Sequence, residues 1–455
     1  MHKLTPYPTG SIREVATVAL PLMISALSIN LMMALNRYNL AHYSIDAVNA
    51  AAFVDMLCFV FHFSLMGITA IAEVFAGQYY GSSSYENVPI AVWQMIWLSL
   101  LTAVIFSIFG NYGGHLAIPE NIQKDALPYF KWMMSFVFMH PLITALASFF
   151  IAQGKSKIIF WTSILSNVFC FMLSYQLING GPISAPLGAE GAAIATVIAQ
   201  TAQAITLFIV FLSKKNRQTY HTHHAYFNLY HFKECIKIGA PNGVNYVIEY
   251  GGWALIAGVL TIRGKDFMTV RTIAQTLFIL LGFISNGIQK TIIALCSNLI
   301  GSNQLELVHK TLRSATIFML LISITTIIPL CINIEYIATI FLGLKLPSDV
   351  LHEVAKAAYG ISLFFILDSL AWIFIATLTS GGDTRFVMLM NTSASWTCVV
   401  IPGYIWLRYL PCDPSSLWVH LSPLYAFVNL TGLYLRYRSK KWQNKIVDAN
   451  FGNYA

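Results

Sequence analysis

Charge is scarce in this sequence. Of 455 residues only 10% are Asp, Glu, Lys or Arg, against roughly a quarter in a soluble globular chain, and the shortage excludes a water-soluble protein of this length. Acid is scarcer than base, with 19 Asp and Glu against 27 Lys and Arg, a formal net charge of +8. That excess does not point to nucleic acid, because the basic residues fall in short clusters between apolar runs and no nucleic-acid motif accompanies them. Cysteines are few and unclustered. The seven, at 58, 170, 235, 296, 331, 398 and 412, are odd in number and lie mostly within apolar runs, so packing roles are expected and no disulfide framework or structural metal site. HExxH, GxSxG and paired aspartate-rich motifs are missing as well, which argues against an intramembrane protease or prenyltransferase and for a protein without covalent chemistry.

What is present is hydrophobic length. Apolar residues make up 57% of the chain, and runs of at least ~18 such residues mark transmembrane helices. Twelve are expected, near 15–38, 46–78, 88–112, 129–152, 158–179, 188–212, 236–262, 267–299, 311–333, 354–380, 385–408 and 416–436. The leader MHKLTPYPTGSIR precedes a run too long for a signal peptide, so the first span is expected to stay in the mature protein. Of the 27 Lys and Arg residues, seventeen fall on the side that carries both termini, eight on the other, and two, Arg37 and Lys290, inside spans. Positive charge collects in the cytoplasm, so both termini are expected there, in a multi-pass protein of the cell membrane (the inner membrane if the cell is Gram-negative).

Two of the few acids lie midway along apolar runs: Glu249 in GAPNGVNYVIEYGGW and Asp368 in SLFFILDSLAWIFIATLTSGGDTR. An ionisable group near mid-membrane costs at least ~2.5 kcal/mol to insert, so it is a functional candidate by default. Asn245 lies one helical turn before Glu249 and Trp253 one turn after, and Trp372 stands in the same relation to Asp368. A carboxylate beside an aromatic face suits an organic cation.

The chain also repeats itself. Pro21 and Pro241, and Gly81 and Gly301, are each 220 positions apart, while AQGKSK around Gly154 matches SGGDTR around Gly382 at an offset of 228. A polar stretch, 213–234, separates the copies, which divides the chain into an N-terminal lobe (1–212), a cytoplasmic linker and a C-terminal lobe (235–455). Six spans in each copy make the repeat parallel, related by an axis along the membrane normal. The fold class is an all-α membrane protein, twelve transmembrane helices in two pseudo-symmetric six-helix bundles.

With this layout the sequence resembles the multidrug and toxic compound extrusion (MATE) family of the MOP superfamily, particularly its NorM-type branch. The resemblance covers nearly the whole chain and rests on Gly239, Pro241 and Glu249, on Asp368 with the turn Gly382-Asp383-Thr384-Arg385, on LGAEGAAIATVIAQ (187–200), and on the glycines after spans 2 and 8. It implies a secondary antiporter that exports amphiphilic, cationic organic compounds in exchange for Na+ or H+, without a cofactor beyond that ion. Glu249 and Asp368 match the family's cation-coupling acids, where Na+ would sit transiently. A monomer in contact with lipid, a small organic substrate and no nucleic acid complete the implied partners. The alternative is a flippase or exporter of lipid-linked precursors or natural products from the same superfamily, which would want a basic cavity where this chain has acids.

One position departs from the family. Where many members carry an aspartate late in span 1, this chain reads Leu35-Asn36-Arg37, and an amide cannot release a proton. Asn36 and His140 therefore enter as substrate-contact candidates with Asn245, Trp253 and Trp372. His140 occupies the repeat position of Asp368, but as a lone histidine it reads first as a hydrogen-bonded packing residue; His62 likewise lacks a spaced partner. Asp55 is expected to pair with Arg37 and Glu73 to reach water. Lys290 is expected to snorkel to the cytoplasm, with counter-charge to the C-terminal acids as its second reading. The linker histidines 221, 223, 224 and 231 are expected to be solvated.

Overall fold

The computed structural model describes residues 4–181, 185–332, 347–443 and 446; Lys3, Lys345 and Lys445, counted among the loop charges above, lie outside them. Twelve rods carry these residues: α1 (Ile12–Tyr43), α2 (Ile45–Gly81), α3 (Val88–Tyr112), α4 (Glu120–Ile151), α5 (Ser156–Asn179), α6 (Gly188–Phe211), α7 (Leu229–Arg263), α8 (Lys265–Gly301), α9 (Leu305–Ile332), α10 (Ser348–Ser380), α11 (Thr384–Tyr409) and α12 (Ser422–Arg438). Ten are long and apolar enough to cross a membrane on those grounds alone. The two that fall short are α7, with Glu249 at its centre and charges at both ends, and α12, with 17 residues.

Several helices outrun their apolar segments. α7 begins at Leu229, where the Asn228 side chain accepts from the backbone N–H groups of Tyr230 and His231, about two turns before the expected start. Hydropathy marks the thickness of the bilayer, whereas a helix continues until a cap ends it.

The repeat is visible in reciprocal contacts at the end that carries the linker and the described N-terminus, here called the inner end. A Cβ on Gly81 would overlap the carbonyl of Asn298, and one on Gly301 would overlap the carbonyl of Gln78; both pairs are 220 positions apart. The side-chain amide of Gln78 donates to Ser380 O at 2.7 Å, and that of Asn298 donates to Ala152 O at 2.9 Å, the acceptors being related by the second offset, 228. Helix backbones approach this closely only where no side chain intervenes.

Burial then gives the shape. At the inner end one apolar core runs through both lobes, joining Val18 and Phe75 to Ile292 and Phe365. Toward the outer end it divides: one core holds Leu40, Val54, Phe130 and Ala192, the other Ile256, Leu277, Ile361 and Leu417. The lobes are packed at the inner end and separate toward the outer one.

The stretch 213–234 is more structured than a solvated linker. It contains the helix Lys214–Tyr220, Thr222 and His231 are buried, and α3 holds it down: Trp93 Nε1 donates to Thr222 O at 3.1 Å and Gln94 Nε2 to Tyr226 O at 3.2 Å. His221, His223 and His224 do cluster at the surface, their rings 4.1 to 6.1 Å apart.

Candidate functional site

Polar ties at the inner ends of α7, α10, α11 and α12 set the frame of the C-terminal lobe. Asp383, in the turn after α10, takes Arg436 of α12 through two hydrogen bonds, 2.6 and 3.1 Å, and Thr384 Oγ1 donates to Ile238 O of α7 at 2.6 Å. Farther along, Thr392 of α11 donates to Asn245 Oδ1 at 3.3 Å. Two wide π-turns, Trp396–Val400 within α11 and Leu417–Leu421 before α12, present Trp396 and Trp418 to α7. Trp418 stacks on Trp253 with ring centres 5.7 Å apart, and Gly252 leaves room beside Trp396 and Val400.

Within this frame α7 and α10 bring Glu249 and Asp368 together, each within electrostatic reach of Tyr425 of α12. Asp368 is 8% exposed and Glu249 is half-buried. Trp372 Nε1 donates to Asp368 Oδ2 at 2.8 Å, so this indole meets its acid edge-on through the N–H rather than offering a free face. The second acid-x-x-x-Trp does not repeat the geometry. Trp253 packs on Trp418, and Glu249 receives no hydrogen bond from the described residues. No described basic side chain forms an ion pair with either acid, so neither has a compensating charge among the described residues.

Sequence reasoning passed over Tyr425, Asn391 and Asn429. Asn429 lies one turn beyond Tyr425, is 1% exposed, and neither its oxygen nor its nitrogen has a hydrogen-bonding partner among the described residues; the same holds for Asn391 Oδ1. An amide or a tyrosine in a span gives only a weak signal, because it looks the same whether it lines a site or fills a core.

In the N-terminal lobe two of the span acids accept from side-chain donors. Asp55 accepts from Tyr129 at 2.8 Å and pairs with Arg37 at 3.7 Å, as expected, and Glu190 accepts from Trp132 Nε1 at 3.0 Å. Asn36 donates to Thr196 Oγ1 at 3.3 Å and makes a longer contact with Cys170, so it is a buried strut between α1, α5 and α6. His140 is not alone. Its ring centre lies 4.2 Å from that of His62 and its Nε2 lies 3.0 Å from Gln200 Nε2.

Two expectations are corrected. Glu73 does not reach water; it is 2% exposed, because α2 is covered at that level by α8. Lys290 does not answer the C-terminal acids: it is half-buried, and its charged neighbour is Glu73 across the lobe boundary. A cavity of about 410 Å³ opens near this boundary at the inner end, lined by Glu14, Ser82, Asn298, Asn303 and Gln304, away from the acid pair.

The MatE family model matches the chain twice, over residues 21–176 and 241–405, a spacing that reproduces the 220-residue repeat. Among curated relatives, the uncharacterized transporter YisQ of Bacillus subtilis is 22% identical over 427 residues, covering 89% of this chain and 90% of YisQ. The probable multidrug resistance protein NorM of Thermotoga maritima is 20% identical over 458 residues, 97% and 96% of the two chains. Among solved structures, an outward-facing multidrug resistance MATE transporter of the MOP superfamily superposes with a TM-score of 0.84 at 13% identity, over 96% of this chain and 98% of that one. The eukaryotic MATE transporter AtDTX14 gives 0.80 at 16%, over 95% and 96%.

Proposed function

Since the chain belongs to the MatE family of multidrug efflux transporters, we propose that it is an antiporter of the cell membrane that exports amphiphilic organic cations in exchange for Na+ or H+, coupled through Glu249 and Asp368. In this reading residues 1–212 and 235–455 are the moving lobes, joined by 213–234, and the inner end faces the cytoplasm. The observation that carries it is a pair of span acids brought within electrostatic reach of each other with no ion pair to a described basic side chain, whereas Asp55 of the N-terminal lobe is paired with Arg37.

Two adjacent carboxylates in a low-dielectric setting are stable only when neutralised. A proton, a sodium ion or an organic cation each serves, and occupancy is exclusive. Carboxylate and amide oxygens such as those of Asn391 and Asn429 suit a hard cation. Entry of the ion from outside therefore releases the substrate there, and the reciprocal effect on ion affinity follows from linkage. The gradient supplies about 2.3 kcal/mol per charge per 100 mV, enough for roughly a fifty-fold substrate gradient.

The acidic character of the pocket disfavours a flippase for pyrophosphate-linked lipids, which would require basic residues there. The test is uptake of ethidium into inverted membrane vesicles under an imposed Na+ gradient and then a pH gradient. Accumulation under one of them supports the antiporter and identifies its ion; no accumulation under either sinks it.

A further inference from the structure

Glu73 and Lys290 take no part in the site just described. Glu73 lies in the inner part of α2 and one of its carboxylate oxygens, Oε1, has no hydrogen-bonding partner among the described residues. Lys290 lies on α8 of the other lobe, and each is the other's charged neighbour, without an ion-pair contact within 4.0 Å. Their helices meet where the lobes approach most closely. Gly77, one turn beyond Glu73, faces Ser297, with a Cβ on the glycine falling 2.7 Å from the serine Cβ, and Gly81 faces Asn298. By the 220-residue relation the counterpart of Glu73 is Ile293 and that of Lys290 is Ala70, so the charges occur once and break the pseudo-symmetry.

A lone carboxylate or ammonium at a dry helix crossing is unfavourable unless an opposite charge compensates it. We propose that Glu73 and Lys290 form a cross-lobe charge pair that holds the inner gate shut. They compensate each other only while α2 and α8 are packed. When the inner ends part, water must solvate both, so the pair weights the balance between the two packings of the lobes without touching substrate or ion. The two residues are positioning residues. The inference rests on the lobes being the moving parts, and not on the coupling role of Glu249.

The sign of each substitution follows. Lys290→Met strands a buried carboxylate in the closed arrangement and favours the open one, where water reaches it. Glu73→Gln strands the ammonium, but a lysine stem is long enough to seek water, so the shift is in the same direction and smaller. Glu73→Gln with Lys290→Met leaves no stranded charge, and neutral replacement of a buried pair is often without net cost.

The experiment is a distance measurement between spin labels at Lys157→Cys and Arg385→Cys, exposed positions of the two lobes 228 residues apart, in full-length protein reconstituted in nanodiscs without substrate or gradient. The half-buried cysteines 331, 398 and 412 are replaced by serine. The expected result is a rise in the open-to-closed ratio of about tenfold or more for Lys290→Met, a smaller rise for Glu73→Gln, and a return towards the wild-type ratio in the double variant. Unchanged distributions in the single variants, or effects that simply add in the double, overturn the proposal. Should Lys290→Met not accumulate in the membrane, Glu73→Gln against the double variant decides the same question. Because no gradient is applied, the outcome is independent of the ethidium assay.

Discussion

At the residue scale, what distinguishes the polar groups is whether the protein already answers them. Asp55 is answered by Arg37 and Tyr129, so Asp55→Leu leaves a buried hydroxyl and a guanidinium without their partner and should cost ~1–3 kcal/mol of stability. Thermal unfolding in detergent should register that loss while ion coupling in the surviving protein stays intact. Trp372 donates to Asp368, and a hydrogen bond to a charged group is worth ~1.5–3 kcal/mol. Trp372→Phe should therefore weaken Asp368 as a cation site, lowering ethidium affinity about tenfold in an equilibrium fluorescence titration, whereas a purely packing role predicts little change. Asn36→Asp places an acid among Thr196 and Cys170; transport should persist and acquire a new pH dependence, read from uptake rates between pH 5 and 8. Glu249 and Asp368 were legible from the sequence because a charge inside an apolar run is conspicuous. Tyr425, Asn429 and Trp418 were not, since aromatic and amide side chains in spans look alike whether they line a site or fill a core. The His62–His140 contact joins α2 to α4, and no local spacing encodes such a contact.

At the element scale the repeat was readable and its irregularities were not. The glycine pair at 81 and 301 stood out as a sequence coincidence and proves to be the crossing point of α2 and α8. Gly81→Ala should force that crossing apart, lowering both transport and thermal stability. Gly251→Ala, on a helix face with nothing within 4 Å of the added carbon, should leave both unchanged; growth protection against ethidium together with a melting curve measures the pair. The π-turns of α11 and α12 carry no signature in hydrophobic periodicity, because one extra residue in a turn shifts the face by less than the width of an apolar stripe. Yet they bring Trp396 and Trp418 against α7. The burial of Glu73 and the charged partner of Lys290 were missed for a related reason: each residue was judged within its own lobe, while the helix it meets belongs to the other.

At the scale of the whole molecule, the single inner core and the two outer cores describe lobes closed toward the linker and open away from it. In that arrangement, on the proposed function, the acid pair near the middle of α7 and α10 would exchange ion and substrate with the outer side. The central claim is that neutralisation of Glu249 couples ion entry to substrate release. Glu249→Gln keeps the size and hydrogen-bonding capacity of the side chain and fixes it in the neutral form. The direct measurement is ethidium uptake into inverted vesicles holding equal amounts of wild-type or Glu249→Gln protein, under whichever ion gradient drives the wild type. The account predicts that Glu249→Gln inserts normally and shows no gradient-driven accumulation; accumulation at the wild-type rate would contradict it.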